Sequence, residues 1–455
     1  MNKEDKKQEQ PILIQHGDHD EHHGYSLNEV HRSIEVPKNG SIFRKILAFT
    51  GPGLLVAVGY MDPGNWATDL AGGAQFGYKL LVVIMISNIL AIILQALALK
   101  LGVATGRDLA QACKDQYSKP VTFVLWILAE IAIAATDLAE VVGSAVALQL
   151  LFHIPLMVGV LITALDVVMI LFLNTKGFRY IEAVVGSLIG VITLSFIAEM
   201  IFARPDWGGV LLGFIPRAEI VTNPSMLYIA IGILGATVMP HNLYMHSSII
   251  QTRKFDLTSR GKHEAIRYGT LDSTSALMGA LFINAAILIL SAATFHTSGH
   301  QDVAEIQDAY KLLAPLLGTG LASTLFAVAL LASGQNSTLT GTLSGQIVME
   351  GFLDIHMKPW VRRLITRGLA IIPAVIVIGL FGEGSATSLL VLSQVVLSVQ
   401  LSFAVIPLVM FTGNKNIMGE FVNPLWVKVI AWFTAILIAV LNAYLLFTTF
   451  FPAGS

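Results

Sequence analysis

The feature that most limits what this chain can fold into is a series of apolar windows, each about as long as a bilayer's hydrocarbon core is thick. A membrane helix needs about 20 mostly apolar residues. Windows of that kind lie near 46–72, 79–104, 121–149, 155–174, 180–202, 226–250, 268–294, 316–346, 362–381, 385–411 and 425–449. The chain is 55% hydrophobic and only 13% charged, against about 25% charged in a soluble domain. Too little polar surface remains to cover a water-facing globule. The expected class is an all-α polytopic protein of the cell membrane with eleven transmembrane helices, its main contact being the lipid bilayer. A formal net charge of -2 argues against a nucleic-acid partner. A single cysteine, Cys113, leaves no disulfide framework and no cysteine-built zinc site.

Basic residues orient the windows, because cytoplasmic connections carry the Lys/Arg excess. One set of connections holds Lys38, Arg44 and Lys45; Lys100, Arg107, Lys114 and Lys119; Lys176 and Arg179; Arg253, Lys254, Arg260, Lys262 and Arg267; Lys358, Arg362, Arg363 and Arg367; and Lys415. The alternate set holds only Lys79, Arg204, Arg217 and Lys311. The N-terminus is therefore expected in the cytoplasm and, with an odd count, the C-terminus outside. Residues 1–44 read as a disordered cytoplasmic tail rather than a cleavable signal. Its histidines, His16, His19, His22, His23 and His31, imply loose affinity for metal.

Two windows interrupt themselves. The first contains Asp62-Pro63-Gly64-Asn65. Pro63 has no N–H, and its ring clashes with the carbonyl four residues back, that of Gly59. It also drives Asp62 out of the helical region. In the sixth window, within ILGATVMPHNLYMHSS, Pro240 frees the carbonyl of Ala236 in the same way. Free carbonyls at membrane depth persist only where protein or a cavity covers them. Five spans separate the two breaks, so segments 1–5 (45–202) and 6–10 (226–411) have opposite topology, with 425–449 an added span. Paired broken helices in inverted halves point to a transporter's central site.

The groups at these breaks are the Asp62 carboxylate, the Asn65 amide, the Met239 thioether and the Gly59 and Ala236 carbonyls. One negative charge and no basic residue suit a cation. Mg²⁺ and Ca²⁺ prefer hard oxygen ligands. Mn²⁺, Fe²⁺, Co²⁺ and Cd²⁺ tolerate or favour sulfur. A carboxylate at the bilayer centre costs about 2.5–3.5 kcal/mol and is functional by default.

DPGN in the first window together with MPHNLYMHS in the sixth resembles the NRAMP family of proton-coupled divalent-metal transporters. The resemblance extends over residues 45–455. It implies a LeuT-like 5+5 inverted repeat with helices 1 and 6 broken, and import of Mn²⁺ and Fe²⁺ with protons, no resident cofactor being needed. It implies metal ligands at Asp62, Asn65, Met239 and the Gly59 and Ala236 oxygens. It adds a tenth-span glutamine, Gln394 in SQVVLS, with Gln400 nearby. The family's magnesium branch lacks the methionine that stands here as Met239.

Proton coupling needs titratable groups near the metal. The third window, WILAEIAIAATDLAEVVGS, places Glu130, Asp137 and Glu140 on nearly one helical stripe. A ladder of carboxylates inside a span reads as a relay. Arg363 and Arg367 are its expected partners, and the resemblance supports that pairing. His241 titrates in the physiological range, and His246 is placed to line an exit path. In the eighth window, Asn336, Ser337 and Thr340 either line the pore or, with Gly341 and Gly345, let helices pack closely. Asp166 calls for an ion-pair partner that the sequence does not name.

Three rivals are weaker. A sodium-coupled amino-acid symporter of the same fold does not call for Met239 or the carboxylate ladder. An intramembrane metallohydrolase needs several ligands and a paired-histidine motif, and no H-E-x-x-H occurs. A passive channel needs repeated ring-forming motifs. Two single, different breaks favour a one-chain carrier that works as a monomer.

Overall fold

The computed structural model describes residues 24, 26–37, 40–166, 172–173, 176–301, 305–355 and 357–450. The tail histidines His16, His19, His22 and His23 lie outside them. Fifteen of the helices organise the structure, labelled here in chain order. They are α1 (Ile42–Phe49), α2 (Pro52–Gly59), α3 (Pro63–Phe76), α4 (Leu81–Thr105), α5 (Leu109–Gln116), α6 (Lys119–Phe152), α7 (Leu156–Ile162), α8 (Phe178–Ala203), α9 (Pro224–Thr237), α10 (Pro240–Ile249), α11 (Ser259–Ser291), α12 (Gly320–Leu353), α13 (Pro359–Phe381), α14 (Ala386–Gly413) and α15 (Leu425–Phe450).

Proline begins α2, α3, α9 and α10. At a first helical position its missing N–H costs nothing and its fixed φ suits the helix. Each mid-window proline therefore ends one half-helix and starts the next. Asp62 caps α3, its Oδ1 accepting the Asn65 N–H at 2.8 Å. A third break was not expected. At Thr50-Gly51, α1 and α2 meet at 42°. Gly51 has φ +135°, and a Cβ there would run into Glu182 and Arg253.

Among the described residues, eight helices are long and apolar enough to span a bilayer, nine if the bent pair α1–α2 counts as one. Two expected windows account for the difference from eleven. The fourth is described only in part, as the short apolar helix Leu156–Leu165. The eighth is the 34-residue α12, long enough but made polar by its Ser, Thr, Asn and Gln residues. That polarity is enclosed in protein: Ser333, Asn336, Ser337, Thr338, Thr340 and Ser344 are all buried.

The helices pack in two groups. The long α6 carries α12, α13 and α14, and α12 also lies on α8. In the second group, α11 covers α2, α3 and α4, and α10 packs on α4. Small residues bring α12 close to α6. A Cβ on Gly334 would meet Ser144, and one on Gly341 would meet Glu140.

Within residues 1–44, the described part makes specific contacts with the rest of the chain. The Gly24 carbonyl accepts from Arg107 Nη1 at 3.1 Å and Gln111 Nε2 at 2.8 Å. The buried Leu27 N–H donates to Glu350 Oε2 at 2.9 Å. β1 (Ile34–Glu35) pairs in parallel with β2 (Arg253–Lys254). Leu27 and Ile34 bury their side chains in the core. Two apolar anchors and satisfied backbone groups suffice to hold a segment that reads as polar.

Candidate metal site

Unwinding between α2 and α3 frees several carbonyls, and the protein disposes of them differently. The Tyr60 carbonyl accepts from Asn284 Nδ2 at 2.8 Å. The Met61 carbonyl accepts from Trp66 Nε1 at 3.2 Å and from the Ser333 hydroxyl. The Gly59 carbonyl instead turns to the facing break. Asn65 Nδ2 lies 3.2 Å from Gly59 O, 2.7 Å from Asp62 Oδ1 and 3.1 Å from Ala236 O. Three oxygen acceptors from two broken helices thus surround one point.

An amide nitrogen has two hydrogens and cannot saturate three acceptors. Asp62 is fully buried, and its Oδ2 has no hydrogen-bond partner. A cation in place of Nδ2 satisfies all of these oxygens at once. Half a turn of the Asn65 amide then presents Oδ1 as a further ligand. Among the described residues no three His, Cys, Asp or Glu side chains gather on one point. A cation placed at the break would meet one carboxylate and neutral oxygen donors.

Gln394 lies against both breaks. A Cβ on Gly64 would run into the Gln394 amide, and one on Gly235 would lie 2.5 Å from the Gln394 carbonyl. Gln394 therefore sits between the two half-helix pairs, with its Oε1 buried and without a partner. Met239 is fully buried at the start of α10 and packs with Ala132 of α6 and Leu397 of α14. On the other side, the ring of Pro63 sits on Gly143 of α6, where a Cβ would overlap it.

Of the third-window carboxylates on α6, Asp137 and Glu140 are fully buried and Glu130 is partly exposed. Asp137 and Glu140 flank Gly341 of α12: a Cβ there would lie 2.6 Å from Glu140 Oε1 and 3.4 Å from Asp137 Oδ1. Arg367 Nη1 is 3.6 Å from Glu140 Oε2. Glu130 pairs with Arg362 at 3.1 Å and accepts from Trp126 Nε1 at 3.1 Å. The side chain of Arg363, the expected partner, lies outside the described residues. Arg362 was not singled out, because neighbouring residues on a helix point about 100° apart and only packing decides which one faces α6. The unassigned Asp166 pairs with Arg367.

His241 Nδ1 is 3.3 Å from the Thr136 hydroxyl, one residue before Asp137. His246 Nδ1 lies 3.0 Å from Gln95 Oε1, and Gln95 Nε2 donates to the Tyr60 hydroxyl at 3.0 Å. The Nε2 atoms of both histidines are buried without partners. In α12, the Ser337 and Thr340 hydroxyls donate to backbone carbonyls three residues back in their own helix. Their polarity is consumed locally, which favours close packing over pore lining.

The family pattern described as "Natural resistance-associated macrophage protein-like", Nramp, matches residues 53–448. The protein called "Divalent metal cation transporter MntH" of Nostoc sp. is 68% identical over 421 residues, covering 92% of this chain and 95% of that one. Its namesake in Listeria monocytogenes is 66% identical over 424 residues, covering 93% and 95%. The crystal structure of the Eremococcus coleocola manganese transporter superposes with a TM-score of 0.87 at 44% identity, covering 95% of this chain and 93% of that one. Mhp1, a nucleobase-cation-symport-1 family transporter, shares the fold at a TM-score of 0.59 and 14% identity, covering 89% and 94%.

Proposed function

This chain belongs to the Nramp family, and on that premise we propose that it imports divalent transition-metal ions together with protons by alternating access. Divalent-metal transport by a multi-pass membrane protein is the common ground with its relatives. The finer reading rests chiefly on one observation, the convergence of Gly59 O, Asp62 Oδ1 and Ala236 O on Asn65 between the two breaks.

The cargo is Mn²⁺ or Fe²⁺, with Co²⁺ and Cd²⁺ also accepted. Asp62 supplies the charge. Asn65, Gln394 and the two carbonyls replace water around the ion, and Met239 adds a sulfur that favours transition metals over Mg²⁺ and Ca²⁺. The two halves, 45–202 and 226–411, rock around this midplane site. The N-terminus is cytoplasmic and the C-terminus, after the added span 425–449, is outside. Protons pass by Asp62, His241 and the α6 carboxylates, with Arg362, Arg363 and Arg367 balancing charge and His246 on the exit side. One chain carries the complete site and works as a monomer.

Proteoliposomes holding a pH dye and a metal-quenched dye test this. Under an inward proton gradient, Mn²⁺ should enter and acidify the lumen, and should outrun Mg²⁺ and Ca²⁺. Metal entry without acidification overturns the proton coupling. Equal rates for the three ions overturn the selectivity.

A further inference from the structure

The added span α15 lies outside the two inverted halves, and much of its surface faces outward: Val429, Phe433, Ile436 and Val440 are exposed. Asn442 departs from that pattern. It is only 4% exposed, and an amide inside a membrane span needs partners on a neighbouring helix. The buried Thr434 of the same helix bonds locally, its hydroxyl donating to Ile430 O at 3.0 Å. The Asn442 amide is spent on α14 instead. Its Oδ1 accepts from the Ser398 hydroxyl at 2.7 Å, and its Nδ2 donates to the Ser398 carbonyl at 2.5 Å and to the Ser402 hydroxyl at 3.2 Å. Ser398 is thus gripped by its side chain and its backbone together. Turning the amide over would set two carbonyl oxygens against each other, so the network admits one orientation.

Ser398 is also where α14 presses on α9. A Cβ on Gly235 would lie 2.5 Å from Ser398 Cβ and 3.0 Å from its Cα, an approach that glycine permits because it has no Cβ. Leu227 and Ile231, on the same four-residue stripe of α9 as Gly235, pack with Val395 of α14 and Leu441 of α15. The residue after Gly235 is Ala236, whose carbonyl lies 3.1 Å from Asn65 Nδ2. One turn before Ser398 on α14 is Gln394, whose amide lies against Gly64.

We propose that Asn442 is a positioning residue for the metal site: it seats Ser398 against Gly235 and so sets where the Ala236 carbonyl and Gln394 stand around the ion. This rests on the metal site proposed above and gives the added span a part in it. Asn442 acts through Ser398 and supplies no ligand itself.

The test is Asn442→Leu in the full chain, with Val440→Ala on the exposed side of the same helix as control. Leucine keeps the volume and removes the bonds. The freed Ser398 hydroxyl can turn to the Gln394 carbonyl four residues back in its own helix, so α14 stays helical. Mn²⁺ is titrated calorimetrically into detergent-solubilised protein, which gives the dissociation constant and the number of competent sites separately. Groups that orient metal ligands are worth about 10- to 100-fold in metal affinity. Asn442→Leu should sit at the lower end, binding Mn²⁺ about tenfold more weakly with the site number unchanged and Val440→Ala at the parent value. Gly235→Ala should also weaken binding, because the clamped Ser398 stands in its way. In the double variant the released α14 gives instead, so the two losses should combine to less than their product. Parent affinity in Asn442→Leu, fewer competent sites at unchanged affinity, or losses that multiply overturn the proposal. Should leucine prevent folding, Asn442→Ala gives the same readings; folding lost in both marks a structural role and overturns it as well. Asp62→Ala, titrated alongside, tests the metal site itself. If that variant binds Mn²⁺ as the parent does, the site reading fails whatever Asn442 does.

Discussion

Gly143→Ala is the substitution that most sharply separates positioning from bulk stability. Gly143 lies on α6, and the ring of Pro63 rests on it where a Cβ would stand. Carbon atoms in contact sit about 3.5–4.0 Å apart, so the Pro63 ring or α6 must retreat by more than about 1 Å. The α6 side is firmly held by α12, α13 and α14, so Pro63 is the group that moves. Pro63 opens α3, and Asp62 precedes it directly, with Asn65 two residues beyond. Overpacking of this kind costs about 1–3 kcal/mol, which a protein of this size survives. A displacement of about 1 Å at a positioned site costs about 100-fold in rate. Gly143→Ala should therefore fold, with its detergent melting temperature lowered by a few degrees. Its Mn²⁺ affinity by calorimetry and its uptake kcat/KM should fall by tenfold to about 100-fold. A folded Gly143→Ala protein with parent affinity would refute the reasoning, because the close approach would then not set the position of Asp62.

Three further outcomes follow from the geometry. Met239→Ala should reduce the preference for Mn²⁺ over Mg²⁺ by at least about tenfold, read from competing uptake, while leaving Asp62 able to bind a cation. Arg362→Ala strands the Glu130 charge and should cost about 2 kcal/mol, below the 3–5 of a fully buried pair because the Glu130 side chain is 25% exposed; Glu130→Gln in the same chain should recover most of it in a thermal melt. Glu350→Ala removes the acceptor of the buried Leu27 N–H, a loss of about 1–3 kcal/mol. The segment around Leu27 should loosen from α5, so that maleimide alkylates the buried Cys113 of that helix faster than in the parent.

The two breaks were legible because proline acts through local sterics. Pro63 and Pro240 mark the carbonyls of Gly59 and Ala236, and those carbonyls meet at Asn65. The polar α12 could be read as tightly packed from its small residues, and Gly334, Gly341 and Gly345 all touch other helices. What local sequence does not carry is rotation and long-range pairing. Arg362 and Arg363 are equivalent on paper, and only the seating of α13 on α6 brings Arg362 to Glu130. Asp166 and Arg367 are 201 residues apart. The Gly51-Pro52 pair did carry a turn signal, submerged in an apolar window. The order of residues 26–37 depends on partners at Gln251, Phe255 and Glu350 that no local pattern announces.

In the proposed transport cycle a divalent transition metal takes the point now held by the Asn65 amide nitrogen. Anomalous diffraction from crystals grown with Mn²⁺ tests it most directly. One peak is expected between Gly59 O and Ala236 O, within coordination distance of Asp62, with the Asn65 amide turned to present its oxygen. A peak elsewhere, or an Asn65 nitrogen still lying among the three oxygens beside a bound ion, would contradict it.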